Sequence, residues 1–161
     1  DIALGLHYQA VRRAQQASER EMQRSLEGSI QVINRITELA DPYTAGHQGR
    51  VSRLCRAIGE QMGWDEERLR GLEIGASIHD VGKTAIPSGL LNKSGALSTQ
   101  EFELIKMHAA NGWEMVQGVD FPWPVAEMIH QHHERLDGSG YPRGLRGKEI
   151  APEARDRKSV V

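Results

Sequence analysis

The stretch Ile78-His79-Asp80-Val81-Gly82-Lys83 places a histidine beside an aspartate, with a lysine three residues after the aspartate. The apolar residues leading into it predict a largely buried helix: Leu69, Leu72, Ile74, Ala76 and Ile78. A carboxylate at the end of a buried helix needs compensation, because burying an unpaired charge is costly. A metal cation would compensate Asp80, whereas the alternative is an ordinary helix end with solvated polar residues.

The other histidines favour the metal over the solvated helix end. Five histidines lie in four separate segments, and four of them follow or close an apolar helical pattern: His47, His79, His108, His132 and His133. If these segments converge, they supply imidazole and carboxylate ligands without thiolates. Such a ligand set favours a non-thiolate transition-metal site.

The composition limits the class of protein. The 161 residues fit one domain plus an appendage, and the net charge of -2 gives no indication of a nucleic-acid surface or an anionic membrane patch. The single Cys55 excludes an internal disulfide and a Cys-rich zinc site, and it agrees with a reducing cytoplasm, where we expect the protein. No apolar run is long enough to span a bilayer, so no membrane segment is expected. The chain starts without Met, and we expect a further region upstream.

Residues 1–40 contain no proline, and they predict one long helix. Two rows of positions recur every seven residues, and the apolar stripe is clearest from Met22 onward, with Leu26, Ile30, Ile33 and Ile36. This pattern is typical of a parallel dimeric signalling helix that carries input from an upstream sensor. The alternative is a helix that packs on its own domain.

The next two helices follow from breakers and caps. Asp41-Pro42 ends the first helix, because proline disfavours the helical conformation before it. A second helix is predicted from about Tyr43 to Met62, with a buried stripe of Val51, Leu54, Cys55, Ile58 and Met62. Asp65 is the expected N-cap of a third helix that ends at His79-Asp80.

The second half of the chain also predicts helices. The capping box Ser98-Thr99-Gln100-Glu101 opens a helix that places five residues on one apolar side: Phe102, Ile105, Ala109, Trp113 and Val116. Another helix is expected over 125–136, and the glycine-rich residues 137–147 predict a structured loop. With no strand pattern anywhere, the predicted fold is all-α.

The motifs taken in order resemble one family. They are Asp41-Pro42-Tyr43-Thr44-Ala45-Gly46-His47, His79-Asp80-Val81-Gly82-Lys83, His108, His132-His133-Glu134 and Asp137-Gly138-Ser139-Gly140-Tyr141-Pro142. Over residues from about 26 to 155 the chain is similar to the HD-GYP family, a branch of the HD metal-dependent phosphohydrolases. The resemblance implies an HD-type helical bundle, a centre of two or three iron or manganese ions, and hydrolysis of cyclic di-GMP to the linear dinucleotide or GMP. It also implies three segments: a linker or coiled-coil helix over 1–40, an HD-GYP domain over 41–155, and a tail over 156–161.

The resemblance also assigns roles to particular residues. The implied metal ligands are His47, His79, Asp80, His108, His132 and His133, with Asp80 as the bridge. Asp80 and Lys83 are the implied catalytic residues, and Lys83 would meet a phosphate oxygen or the developing charge. Gly140, Tyr141 and Pro142 are implied in substrate binding or partner contact. The alternative is a turn whose glycines and proline only fix the shape of the backbone. His130 is interpreted as structural and His7 as solvent-exposed.

The chain departs from the family pattern in two places. Family members with a third metal carry a glutamate at the position of Tyr43, so we expect two divalent ions. The family continues near residue 155 into an apolar helix with a further metal-binding aspartate, but the chain reads Asp156-Arg157-Lys158-Ser159-Val160-Val161. These six residues match a translated sequencing adapter, and we expect a non-native tail after an incomplete domain. On this expectation the chain itself hydrolyses cyclic di-GMP poorly.

Three functional hypotheses follow from these observations. The first is a cyclic di-GMP phosphodiesterase, and the second is another HD-type nucleotide phosphohydrolase. The third is a non-catalytic relay or binding module. The expected partners are cyclic di-GMP, a second copy through the N-terminal helix, and a diguanylate-cyclase-type domain, with no nucleic acid.

Overall fold

The computed structural model of the protein describes residues 2–155, with side chains from residue 7 onward. Helices and the turns between them make up this part of the chain, and none of its residues forms a strand, so the predicted all-α fold is confirmed. The helices are α1 Ile2–Ala40, α2 His47–Gln61, α3 Glu66–Ser77, α4 Ser88–Leu91, α5 Thr99–Val116, α6 Val125–Gln131 and α7 Pro152–Arg155. The expected tail over 156–161 lies outside the described residues.

The long N-terminal helix is confirmed, and it ends at Ala40, directly before Asp41-Pro42. The chain divides into two compact units, of which the first ends at Val32 and the second begins at Ile33. In the first unit Tyr8, Val11, Met22 and Val32 are exposed, whereas Leu26 and Ile30 are half-buried. His7 is exposed, as predicted. Among the described helices, none is both long and apolar enough to cross a bilayer.

The core of the second unit lies where three helices meet. Residues of α2, α3 and α6 form one buried cluster, against which Trp64 packs: Val51, Cys55, Leu72, Ala76 and Met128. Gly59 lets α2 and α3 approach closely, because a Cβ there would lie 2.6 Å from a methyl carbon of Leu69. The apolar residues predicted to be buried in and just after α3 are all buried.

Two details of α2 were predicted wrongly. The helix begins at His47 rather than near Tyr43, because Pro42–Thr44 forms a 3-10 turn and Gly46 takes a left-handed conformation with φ 67°. Leu54 and Met62 are 41% and 49% exposed, so the buried stripe is narrower than predicted. The stripe was counted over the whole helix, but α2 meets the core mainly through the turns near Val51 and Cys55.

The predicted helix caps are confirmed. The Asp65 carboxylate accepts a hydrogen bond from the backbone N–H of Arg68, and Ser98 and Glu101 form a reciprocal capping box at the start of α5. Phe102 is 45% exposed, however, and it does not join the buried side of α5. Capping depends on local geometry, so the sequence defined it better than it defined burial.

The helix predicted over 125–136 ends at Gln131. His132, His133 and Glu134 therefore lie in the turn that follows α6. The Glu134 carboxylate accepts hydrogen bonds from the backbone N–H groups of Arg143 and Leu145, at 2.7 Å and 2.9 Å. These contacts with the following loop replace the helical continuation that the apolar pattern predicted.

Candidate metal centre

Two groups of potential metal ligands lie next to each other in the second unit. One group contains Asp80, His108, His132 and His133, and the other contains His47, His79 and Asp80. Within each group the ligand atoms lie within 4.8 Å of one another. All six residues predicted as ligands therefore converge, and Asp80 is common to both groups.

The six candidate ligands lie on, or directly after, four of the helices. His47 is the first residue of α2, and His79 and Asp80 come directly after α3. His108 lies in the middle of α5, where the 3-10 turn Val81–Ala85 packs against it. That contact requires Gly82, because a Cβ there would lie 2.0 Å from the carbonyl oxygen of His108.

Backbone carbonyls orient three of the imidazole rings. The Nδ1 atoms of His79, His108 and His132 lie 2.7, 2.7 and 2.6 Å from the carbonyl oxygens of Ala76, Ile105 and Ile129. A carbonyl only accepts, so each Nδ1 donates, and in the neutral ring the lone pair is then on Nε2. Hydrogen bonds from the ring nitrogen that does not bind the metal are typical of metal-ligating histidines.

The two oxygens of Asp80 face different histidines. Oδ2 lies 3.1 Å from Nε2 of His79, whereas Oδ1 lies 3.5 Å from Nε2 of His108 and 3.7 Å from Nε2 of His132. The Nε2 atoms of His108 and His132 are themselves only 3.0 Å apart. A cation among these atoms would be bound by the Asp80 carboxylate and by the Nε2 lone pairs that the neutral form of each ring offers. The imidazole and carboxylate donors thus fit a divalent transition metal.

Asp80 is 4% exposed, so its ionisation depends on its neighbours. Burial by itself would raise the pKa of Asp80, but the charge and hydrogen bond of His79, followed by the charge of His132, hold that pKa well below its usual value. Asp80 is therefore a carboxylate at neutral pH, which is the form that binds a cation.

Lys83 lies at the edge of the same centre. Its Nζ atom lies 3.0 Å from Oδ2 of Asp80 and 2.9 Å from Oδ2 of Asp41, and its side chain is 15% exposed. Burial lowers the pKa of Lys83, but the two carboxylates outweigh burial and raise the pKa above its usual value. The alternative of a solvated loop lysine is therefore wrong.

The Gly140-Tyr141-Pro142 loop packs against the group that contains His108, His132 and His133. The Tyr141 ring stacks on that of His133, with centroids 4.5 Å apart and planes at 20°. Gly140 lies so close to Glu134 that an added Cβ would be 2.5 Å from the Glu134 Cα atom. Burial raises the pKa of Tyr141, so the ring is a neutral phenol beside the candidate ligands.

Two residues near the centre were not singled out from the sequence. Asp41 was interpreted as part of a helix-breaking pair and quoted within the first motif without a role, although it is buried and paired with Lys83. Glu134, 3% exposed, was quoted within a motif without a role, although it binds the loop that carries Tyr141. Glu134 could have been singled out because it is an acidic residue directly after a predicted ligand. Asp41 could not, because its partner Lys83 is 42 residues away in the sequence.

Two residues, His130 and Tyr43, were left out of the predicted ligand set. The His130 ring stacks on Trp113, with centroids 5.0 Å apart, and burial lowers the pKa of His130. Tyr43, at the position where some family members carry a glutamate, is 84% exposed. Neither residue belongs to the two ligand groups.

Comparisons with known proteins agree on one family. A family model described as HD domain matches residues 31–155. A protein from Thermotoga maritima named cyclic di-GMP phosphodiesterase is 39% identical over 75% of this chain, and the response regulator RpfG from Xanthomonas campestris, also named a cyclic di-GMP phosphodiesterase, is 36% identical over 95%. The structure of Bd1817, an HDG"Y"P protein from Bdellovibrio bacteriovorus, matches 67% of this chain with a TM-score of 0.59 and 34% identity. The chain spans 33%, 40% and 36% of these three proteins, respectively.

Proposed function

Because this chain belongs to the HD domain family, and within it to the HD-GYP branch, we propose that it contains the metal centre of a phosphodiesterase that hydrolyses cyclic di-GMP. The products would be the linear dinucleotide or GMP. One observation carries the proposal: each oxygen of Asp80 faces one of two histidine groups. A carboxylate with this placement suits two adjacent cations, and paired cations suit phosphodiester hydrolysis.

The proposed ligands divide between two divalent ions, iron or manganese. His47 and His79 would hold one ion with Oδ2 of Asp80, and the other would be held by His108, His132 and His133 with Oδ1. When bound, such ions polarise the phosphodiester and lower the pKa of a water molecule. The backbone contacts of the Nδ1 atoms fix the rings before a metal arrives.

Lys83, the loop and Asp80 have distinct proposed roles. The Lys83 ammonium borders the centre beside Asp80, where it would bind a non-bridging phosphate oxygen and stabilise the charge that develops there. Gly140, Tyr141 and Pro142 would form a wall of the substrate pocket, since Tyr141 lies over His133. The charged Asp80 would hold both ions during the reaction.

The remaining proposals concern the whole protein. Residues 1–40 are proposed as a linker helix that dimerises with a second copy, and 41–155 as the HD-GYP domain. Input would come from a further domain, a diguanylate-cyclase-type domain would be a partner, and the reaction would take place in the cytoplasm. Exposed apolar residues on α1 support the dimer: Tyr8, Val11, Met22, Val32, Ile36 and Leu39.

The test is hydrolysis of cyclic di-GMP by the chain loaded with ferrous iron without oxygen, or with manganese. Chromatography of the products and the metal-to-protein ratio are measured on the same sample, and Asp80→Asn is the control. The same assay is run on a version extended by the C-terminal segment of a related protein. We expect the linear dinucleotide or GMP from the extended version, little of either product from the chain itself, and neither product from the variant. Metal binding without turnover in the extended version would favour the non-catalytic relay, and turnover of nucleoside triphosphates alone would favour another HD-type phosphohydrolase.

A further inference from the structure

Asp41 is a buried carboxylate whose position suggests a role beyond ending α1. It is 7% exposed, and it starts the 3-10 turn Pro42–Thr44 without a capping hydrogen bond from its side chain. Its Oδ2 atom accepts a hydrogen bond from Nζ of Lys83 at 2.9 Å. The side chain of Asp41 therefore serves this contact rather than the local helix end.

The Lys83 ammonium is shared between two carboxylates. Nζ lies 2.9 Å from Asp41 and 3.0 Å from Oδ2 of Asp80. The same Oδ2 atom lies 3.1 Å from Nε2 of His79, on the side of the His47 and His79 group. An ammonium and a divalent cation would thus compete for one oxygen of Asp80.

We propose that Asp41 is a positioning residue that shares the Lys83 ammonium with Oδ2 of Asp80 and retains it when a metal ion takes that oxygen, so that the oxygen remains available to the metal. The inference rests on the proposed metal centre. Without the negative charge of Asp41, Lys83 pairs with Asp80 alone, and a metal has to displace it. With a metal ion at Oδ2, Asp41 would keep the ammonium at the edge of the centre, where it would meet the substrate.

This role predicts a coupling between two substitutions. Asp41→Asn keeps the shape of the side chain and removes its charge. Metal affinity should fall by about 10-fold, as is typical when a residue that supports a metal ligand is lost. Lys83→Met removes the competitor, and it should bind metal at least as tightly as the unsubstituted chain. In the Lys83→Met background, Asp41→Asn should then cost little. A carboxylate that acted only through its own field, or only on folding, would cost the same factor in both backgrounds.

The experiment measures manganese dissociation constants of the unsubstituted chain, the two single variants and the double variant, by titration followed with electron paramagnetic resonance. Glu60→Gln is the matched control, because it removes one carboxylate that pairs with Arg56 away from the centre. We expect its affinity to equal that of the unsubstituted chain. Thermal unfolding without metal checks that each variant folds.

Asp41→Glu separates charge from shape. It keeps the carboxylate, and we expect an affinity much closer to that of the unsubstituted chain than to that of Asp41→Asn. The inference is overturned if Asp41→Glu is as weak as Asp41→Asn, if Asp41→Asn leaves the affinity unchanged, or if its cost is equal in both backgrounds. Absence of manganese binding to the unsubstituted chain would instead overturn the metal centre, and this inference with it.

Discussion

At the residue scale, the distinguishing feature is the Asp80 carboxylate, whose two oxygens face different histidines. Asp80 is buried, and it lies beside histidines that come from four segments of the chain. Imidazole rings with oriented Nδ1 atoms and a carboxylate whose oxygens face them form a donor set that suits a divalent transition metal. Metal content is therefore the first property to measure.

Asp80→Asn should abolish binding of both metals, because an amide is a neutral and weaker ligand and the residue belongs to both groups. His47→Ala should remove one metal and retain the other, since His47 belongs to one group only. The measurement is the metal-to-protein ratio by elemental analysis. His130→Gln is the control and should keep the full ratio. Equal loss from Asp80→Asn and His47→Ala would contradict two separable sites.

Gly82→Ala should strongly destabilise the protein. Its Cβ would lie 2.0 Å from the carbonyl oxygen of His108 and 2.4 Å from the backbone nitrogen of Gly112, and backbone atoms cannot yield as a side chain can. We expect a loss of about 3 kcal/mol in the free energy of unfolding, with weaker metal binding because His108 shifts. The measurement is urea unfolding. Gly89→Ala is the control, because nothing lies within 4 Å of its added Cβ, and it should be neutral or slightly stabilising.

At the element scale, three segments around the centre are each fixed by a contact of their own. The loop over 137–147 is held by Glu134, α5 by its capping box, and the 3-10 turn Val81–Ala85 by close packing on α5. These contacts position Tyr141 on the loop, His108 on α5, and Asp80 directly before the turn. Loosening one contact should therefore affect one segment more than the others.

Glu134→Ala should loosen the loop that carries Tyr141. The variant leaves the backbone N–H groups of Arg143 and Leu145 without their acceptor, at a cost of about 1–3 kcal/mol. Hydrogen exchange should quicken at these two amides while the amides of α3 keep their protection. The exposed Glu114→Ala on α5 is the control. Unchanged exchange at both loop amides would show that the loop does not depend on Glu134.

The capping box of α5 predicts a pH dependence. Hydrogen bonds from Lys93, followed by the backbone N–H of Ser98, lower the pKa of Glu101 from 4.5 to about 2. A pKa that is lower in the folded state stabilises the protein above 4.5, and this contribution is lost as the pH falls towards about 2. The difference in unfolding free energy between the unsubstituted chain and Glu101→Gln, both without metal, should therefore shrink on acidification. A difference that stays constant from about pH 7 to about pH 3 would contradict the contribution of the charge.

At the scale of the whole molecule, the division into two units suggests where the chain can be cut. The first unit ends at Val32, whereas Thr37, later in the same helix, is 2% exposed within the second unit. The end of α1 therefore belongs structurally with the helices that carry the candidate ligands. The predicted domain boundary at residue 40 remains a prediction.

Removal of 1–32 should leave the thermal stability and metal content of the remainder unchanged, and it should reduce self-association. Removal of 1–40 should lower the melting temperature, because it also deletes the buried Thr37. Sedimentation and thermal unfolding of the two shortened chains and the full chain are the measurements. A monomer both with and without residues 1–32 would rule out dimerisation through the helix.

The sequence by itself determined the class of the fold and the identity of the candidate ligands. Helix periodicity, the proline after Asp41 and the caps at Asp65 and Ser98 are local signals, because they depend on residues within one or two turns. The ordered motifs led to the six ligand residues, all of which the structure brings together. Burial was less predictable: Leu54 and Phe102 carry the correct apolar pattern but lie on the surface.

Only the tertiary structure decided how these residues work together. It ended α6 at Gln131, brought Glu134 onto the following loop, and directed the two oxygens of Asp80 towards different histidines. It also paired Asp41 with Lys83 across 42 residues of sequence. Such contacts depend on the packing of helices that are distant in the chain. The sequence shows which chemical groups are present, whereas close packing over the whole core sets the distances between those groups.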